Sequence, residues 1–311
     1  MKNILITSIS GKVPLIEVVK DSRDKFDRSI KIYGADINCN IVGKYFVDYF
    51  WLMPKISKLK LSELINYCNE NCIKYIIPTR DADVIYFSKY KNELLKNKIY
   101  CFVSEYASVE ICFDKLLFFR KIKNEMIVPT FENIDELEGV NSFVIKERFG
   151  AGSTNIGINL KLDQVKKFIK NFDAPIIQPF IEGEEYSIDS YLNKEGNYLG
   201  SIIRSRDIVI DGESKVTTRV IDGELEVKAK EFLEKNKILG HSVLQVIKDK
   251  NGYHIIECNA RFGGASTLSY TLGLESFLWF LQECNGDEVS PKISHKKLKL
   301  IRISKDIYLE S

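Results

Sequence analysis

The N-terminal third of the chain limits the fold most tightly. Apolar runs at Asn3 to Thr7, Ile30 to Tyr33, Lys74 to Pro78 and Ile99 to Val103 each stop at polar or glycine-containing residues. Between them lie segments of helical periodicity, Val13 to Val19 and Leu61 to Asn71. Strands alternating with helices predict βαβ units and a parallel sheet. In open sheets ligands gather at the carboxyl ends of strands, so Ser10, Gly11, Asp36, Arg80 and Asp81 are candidates to line a cleft. Turn and capping chemistry accounts for the same residues equally well. Asp36 stands where a dinucleotide fold keeps its ribose-binding acid. However, the first turn, Ser8 to Lys12, holds one glycine where such a site requires G-x-G-x-x-G. A nicotinamide-dependent oxidoreductase is thereby disfavoured.

From Asp114 the texture changes. Lys115 to Lys121 has a helical pattern, and Ser142 to Glu147 reads as a strand carrying Lys146. Arg148 to Gly157 follows as a glycine-rich loop with hydroxyl side chains, whose backbone N–H groups can cradle phosphate oxygens or simply form a turn. It is not a Walker P-loop, because no Gly-Lys-Ser/Thr follows. A helix over Leu162 to Asn171 precedes strands at Ala174 to Pro179 and Tyr186 to Tyr191. Pro179 lacks an N–H, so Phe180 and Ile181 would supply any backbone contacts to a flat base. Further strands are expected at Tyr198 to Arg204 and Val216 to Val220, then an amphipathic helix at Leu225 to Asn236. Ser242 to Lys248 and Tyr253 to Asn259 form a hairpin turning at Asn251-Gly252. Ser266 to Glu283 reads as one terminal helix.

The outgoing strand of that hairpin runs into Glu257-Cys258-Asn259-Ala260-Arg261. Side-chain alternation puts Glu257, Asn259 and Arg261 on one face, with Cys258 and Ala260 on the other. Gln245 on the incoming strand adds a second amide oxygen. One carboxylate with amide oxygens suits Mg²⁺, which usually takes one or two carboxylates plus substrate phosphate. Arginine offers a planar fork to phosphate or carboxylate. A strand edge with solvated charges is the plain alternative. Arg204, Arg206 and Arg219 suit an anionic substrate, or surface charge.

The 311 residues suffice for about two domains at roughly 150 residues each. A net charge of +2 gives no reason to expect a nucleic-acid surface. The seven cysteines show no metal-ligand spacing beyond Cys68 and Cys72, one helical turn apart, and read as free thiols of a reducing compartment. The apolar start, Lys2 to Thr7, is too short for a signal peptide, and no run approaches the ~18 apolar residues of a membrane span. A cytoplasmic protein without a membrane partner is expected.

Lys115, Ile145-Lys146-Glu147-Arg148 with Gly150-Ala151-Gly152-Ser153, Gln178 through Glu185, and above all Glu257-Cys258-Asn259-Ala260-Arg261 resemble, in this order, the ATP-grasp superfamily. The similarity spans nearly the whole chain. It is strongest to the carbamoyl-phosphate synthetase large-subunit branch and its small single-module relatives. The resemblance implies an α/β and α+β fold. A Rossmann-like pre-ATP-grasp domain (1–112) would precede an ATP-grasp domain (113–311) of two α+β subdomains, with a lid at about 120–180. It also implies ATP and Mg²⁺ (or Mn²⁺) as cofactors. By the same resemblance Lys115 and Lys146 bind phosphates and Gly152 and Ser153 sit on the flap over them. Gln178, Phe180 and Ile181 face the adenine, and Glu185 takes the ribose hydroxyls. Gln245, Glu257 and Asn259 hold the metal, and Arg261 meets the transferred phosphoryl group. Many relatives carry Glu where Gln178 stands, which implies altered affinity rather than lost binding.

The implied activity is a ligase joining a small-molecule carboxylate to an amine or ammonia through an acyl phosphate, releasing ADP and phosphate. The alternative is a non-catalytic ATP-binding regulatory module. The synthetase's second ATP module, its oligomerisation and allosteric domains and its glutaminase partner have no counterpart here, so carbamoyl phosphate is not the expected product. Substrate identity and a homodimeric state are left open.

Overall fold

A computed structural model describes residues 2–150 and 155–308. Five short strands, β1 (Asn3–Thr7), β2 (Ile32–Asp36), β3 (Tyr49–Leu52), β4 (Ile73–Ile77) and β5 (Tyr100–Cys101), form a parallel sheet in the order β3-β2-β1-β4-β5. The order reverses direction between β1 and β4, which opens a crevice at their carboxyl ends. Every residue of β1 and β2 is buried, as expected of strands covered on both faces. Helices α1 (Val13–Phe26), α2 (Leu61–Glu70), α3 (Asp81–Lys89), α4 (Lys91–Lys96) and α5 (Tyr106–Phe113) supply the covering. The sequence reading misses β3, an aromatic run whose residues are half-buried or exposed at the sheet edge. The second strand is also displaced: it runs on to Asp36 rather than stopping at Tyr33.

Helix α6 (Lys115–Lys121) leads into a small antiparallel sheet of β6 (Phe143–Glu147), β7 (Ile156–Leu160) and β8 (Pro175–Pro179), ordered β7-β6-β8. Helix α7 (Leu162–Phe168), followed by a 3-10 turn over Ile169–Asn171, packs on it. Leu137, Phe143, Ile145, Val165, Phe172 and Ile177 give this sheet its own core.

The rest is built on a six-stranded antiparallel sheet. Its strands are β9 (Glu184–Leu192), β10 (Tyr198–Ile210), β11 (Glu213–Val220), β12 (Gly240–Asp249), β13 (Gly252–Asn259) and β14 (Lys299–Ile301), ordered β13-β12-β9-β10-β11-β14. One face, with Ile188, Ile203, Leu244 and Cys258, packs against α8 (Gly223–Asn236) through Leu225, Ala229, Phe232 and Leu233. The other face is polar around Glu257, Gln245, Ser187 and Arg204 and apolar at Tyr191 and Ile202. Asp222 starts α8 by accepting the Leu225 N–H at 3.1 Å, an N-cap. The β12–β13 hairpin pairs Asp249 with Gly252, so its two-residue loop is Lys250-Asn251, one position earlier than the sequence suggests.

The terminal helix is not continuous. It divides into α9 (Thr267–Thr271) and α10 (Ser276–Asn285). Gly273 between them has φ +98°, and a Cβ there would stand 2.2 Å from the Lys292 carbonyl oxygen. The returning chain crosses this point, a long-range fact that local periodicity does not carry. Helix α10 lies against the parallel sheet, with Phe277 5.0 Å from Phe102 between ring centroids, so one apolar core joins both large sheets. No described helix is long and apolar enough to cross a membrane.

Gly273→Ala is expected to lower unfolding free energy by at least about 1–2 kcal/mol from the left-handed backbone alone, with the carbonyl clash added. Urea denaturation measures it, and an unchanged midpoint would contradict the close crossing.

Candidate active site

The polar face of the large sheet and the crevice of the parallel sheet enclose one cleft of about 820 Å³. Register explains how the polar face is composed. Glu257 pairs with Gln245, Gln245 with Ser187, Ser187 with Arg204 and Arg204 with Arg219. Directly paired residues share a face, so these five side chains form one row from β13 to β11. A second row two residues along carries Asn259 and Asp189.

At the β13 end the expected residues meet. Asn259 Nδ2 donates to Glu257 Oε1 at 3.0 Å. Cys258 and Ala260 face the core at 1% and 8% exposure, as alternation requires. The strand ends at Asn259, however, so Arg261 leaves it on a turn in which its N–H donates to the Asn259 carbonyl at 2.9 Å. The turn aims its guanidinium at the parallel sheet. Arg261 Nε donates to Asp81 Oδ1 at 2.5 Å and Arg261 NH2 to Asp81 Oδ2 at 3.1 Å. Asp81 opens α3, directly after β4. Of the strand-end candidates, Arg80 and Asp81 line the cleft beside Lys12. Asp36 instead accepts the Ser10 N–H at 3.0 Å and the Asn38 N–H at 3.2 Å, which is turn chemistry.

Two lysines approach Glu257. Burial pushes the Lys146 ammonium down to about 8, against the pull of Glu257. Burial also pushes the Glu257 carboxyl up, but Lys115, Lys146 and the Asn259 hydrogen bond outweigh it and hold the group below its ordinary value. Lys115 donates to the Gly150 carbonyl at 2.8 Å. It is positioned by its neighbour: Asp114 caps α6 through the N–H groups of Leu116 and Leu117 and binds Arg148 through two contacts of 2.7 and 2.6 Å. This fork ties the end of β6 to the start of α6. Only the Asp-before-helix pattern hinted at it in the sequence.

The remaining candidates lie apart from the cleft lining. Gln178 on β8 is buried, and its Nε2 donates to Thr130 Oγ1 at 2.8 Å. The Phe180 N–H is engaged by the Ser142 carbonyl at 2.8 Å, which removes it as a donor to a base and corrects that expectation. Glu185 forms an ion pair with Arg206 Nε at 2.8 Å, and burial raises its carboxyl. Gly152 and Ser153 lie outside the described residues.

Among the described residues no group of three His, Cys, Asp or Glu side chains could hold a metal ion. One carboxylate flanked by two amides suits a cation that arrives with phosphate oxygens, rather than an all-protein cage.

A family profile described as an ATP-grasp domain matches residues 112–265, and one described as a PylC-like, N-terminal domain matches residues 4–102. No curated protein sequence matches. Among solved structures, the N5-carboxyaminoimidazole synthetase of Staphylococcus aureus complexed with ADP is 15% identical, with a TM-score of 0.73 over 97% of this chain and 82% of its own. The biotin carboxylase domain of Hydrogenobacter thermophilus 2-oxoglutarate carboxylase, with MgADP, ADP and bicarbonate, is 14% identical, with a TM-score of 0.72 over 92% and 70%. An L-amino acid ligase of Bacillus licheniformis is 14% identical, with a TM-score of 0.69 over 94% and 75%. At these identities the likeness establishes the fold.

Asp81→Ala strands the Arg261 guanidinium, the two side chains being 24% and 16% exposed. The expected loss lies between the ~1 kcal/mol of an exposed pair and the ~3–5 kcal/mol of a buried pair broken on one side. Chemical denaturation checks it, and a loss below that of an exposed pair would deny the bridge a structural role.

Proposed function

For this ATP-grasp protein with its PylC-like N-terminal domain, we propose an ATP-dependent ligase that joins a carboxylate to an amine or ammonia through an acyl phosphate, releasing ADP and phosphate. The observation that carries the reading is the convergence of Lys115 and Lys146 on Glu257, flanked by Gln245 and Asn259, beside an Arg261 held by Asp81. Cations converging on an oxygen-ligand set are what a polyphosphate with its Mg²⁺ needs. Phosphoryl transfer requires mainly positioning and charge stabilisation, so no covalent protein nucleophile is called for.

In this reading residues 1–112 form the pre-ATP-grasp domain and residues 113–311 the ATP-grasp domain, with its lid at about 120–180. Glu257, Gln245 and Asn259 would hold Mg²⁺ (or Mn²⁺), which when bound neutralises charge on the transferring phosphoryl group. Lys115 and Lys146 would grip the phosphates, with Gly152 and Ser153 above them. Gln178, its Nε2 engaged by Thr130, would offer Oε1 to the adenine amino group. The Phe180 carbonyl and the Ile181 N–H would meet the base edge, and Glu185 the ribose. Arg261 would steady the oxygens of the phosphoryl group and the acyl phosphate, its orientation set by Asp81. Closure of the lid would exclude water from the labile intermediate.

ADP release with Mg-ATP across a matrix of carboxylates and amines tests the reading, with Glu257→Ala as the blank. The expected result is a substrate-dependent signal lost in the variant. AMP in place of ADP would overturn the acyl phosphate. Nucleotide binding without turnover on any pair would favour the non-catalytic ATP-binding module.

Lys146 gives a pH signature. In the folded protein it loses its proton near pH 8, whereas an exposed lysine does so at 10.5. Across that window the unfolded chain binds more protons, so this group makes the ligand-free fold more stable as pH rises. Phosphate affinity moves the opposite way, because the ammonium is lost. Mg-ADP binding followed by calorimetry is expected to weaken from about pH 8 upward. Lys146→Met should flatten both trends, and an unaltered pH profile in that variant would clear Lys146 of phosphate binding.

A further inference from the structure

The β10 end of the sheet row holds polar atoms that the fold leaves without partners. Arg204 is 3% exposed and lines the cleft. Its Nε donates to Asp189 Oδ2 at 2.7 Å, yet its NH1 is buried and makes no hydrogen bond. Asp189 is itself fixed by Ser269 Oγ at 2.6 Å and by Ser266 Oγ, so the guanidinium cannot swing away to find water. A second orphan stands on the paired residue of the neighbouring strand, the hydroxyl of Ser187, buried and without a partner. Buried donors left unmade are costly, most of all on a charged group. Two on directly paired residues of one cleft mark a place where a ligand completes the hydrogen bonding.

The chemistry of that ligand follows from the donors. A guanidinium edge and a hydroxyl suit an acceptor-rich anion, and a carboxylate offers two oxygens with about four lone-pair positions. Seven basic side chains line the cleft against three acidic ones, so an additional negative charge is favoured there. Arg204 lies three strand intervals from Glu257 along the row, roughly 14 Å at the usual spacing of about 4.8 Å. This separates it from the phosphate end by the reach of a small substrate.

We infer that Arg204, with Ser187, forms a subsite for a non-reacting carboxylate of an amino-acid-sized substrate. The inference rests on the ligase reading, since it places the reacting group toward Glu257 and Arg261. The subsite holds whichever substrate, acid or amine, bears the spare carboxylate.

Binding of α-amino acids of both hands, and separately of glutarate, is compared with binding of their carboxamides, by thermal shift and calorimetry. Each is measured with and without Mg-ADP. At least one carboxylate is expected to bind, and its carboxamide about tenfold or more weakly, as the loss of a charge-assisted contact predicts. Arg204→Gln keeps a donor for Asp189 while removing the free N–H groups. It should weaken that carboxylate by a similar factor, leave Mg-ADP affinity within about twofold because the sites are apart, and abolish the preference over carboxamide. Should Arg204→Gln fail to fold, Ser187→Ala removes a hydroxyl that has no protein partner and should weaken the carboxylate selectively. Equal binding of carboxylate and carboxamide, full carboxylate affinity in the variants, or no binding by any member of the panel overturns the subsite. Loss of Mg-ADP binding in the parent protein would overturn the nucleotide reading instead, and the measurements without nucleotide keep the two failures distinct.

Discussion

The cleft depends on one carboxylate sealed in the protein interior. Asp189 has no solvent exposure, yet it receives donors from Arg204 on β10 and from Ser266 and Ser269 around α9, with His241 of β12 at 3.4 Å. Burial alone would push such a group toward its neutral form. Arg204 and His241 reverse that and hold the carboxyl well below the ordinary range. An ionised hub with this many donors fixes direction as well as distance. It sets the plane of the Arg204 guanidinium and pins the segment that follows Arg261. The cleft is therefore shaped before any ligand enters.

Two arginine–carboxylate forks then join the pieces around it. Arg261 with Asp81 links the end of the Glu257 row to the first turn of α3, and Arg148 with Asp114 links the small sheet to the start of α6. In both, the acid stands at a helix start, where backbone N–H groups also favour negative charge. Each fork brings a cation of the site into register with Glu257: Arg261 itself in the first, Lys115 in the second. Lys146 has no such partner. Burial, with Lys115 nearby, lowers its proton affinity against the pull of Glu257 and Glu185, and the Ile256 carbonyl stands at 3.5 Å.

The same fold in distant relatives carries the names of a carboxylase domain, a synthetase and an amino acid ligase. A shared fold does not carry shared chemistry. In this chain the row across the large sheet is acidic at β13, amide at β12 and guanidinium at β10 and β11. In the second half of that row the fold leaves donors unmatched.

The sequence by itself determined the kinds of element and the chemistry of one end of the site. Alternation along a strand is a local property, so Glu257 and Asn259 could be assigned a common direction, and Gln245 set beside Glu257, from spacing and the hairpin turn; Arg261, expected to follow them, leaves the strand on a turn toward Asp81. The lysines and the glycine-rich loop were legible through their order along the chain. Tertiary structure decided what spacing cannot encode. Asp81 and Arg261 are 180 positions apart, and only the docking of the two sheets makes them partners. Gly273 breaks the last helix because Lys292 returns across it. Ser187 and Arg204 join the Glu257 row through strand neighbours remote in the chain, and the unpaired N–H of Arg204 emerges only once every other donor near Asp189 has found its place. Local rules name the groups; which of them are left unsatisfied is a property of the whole packing.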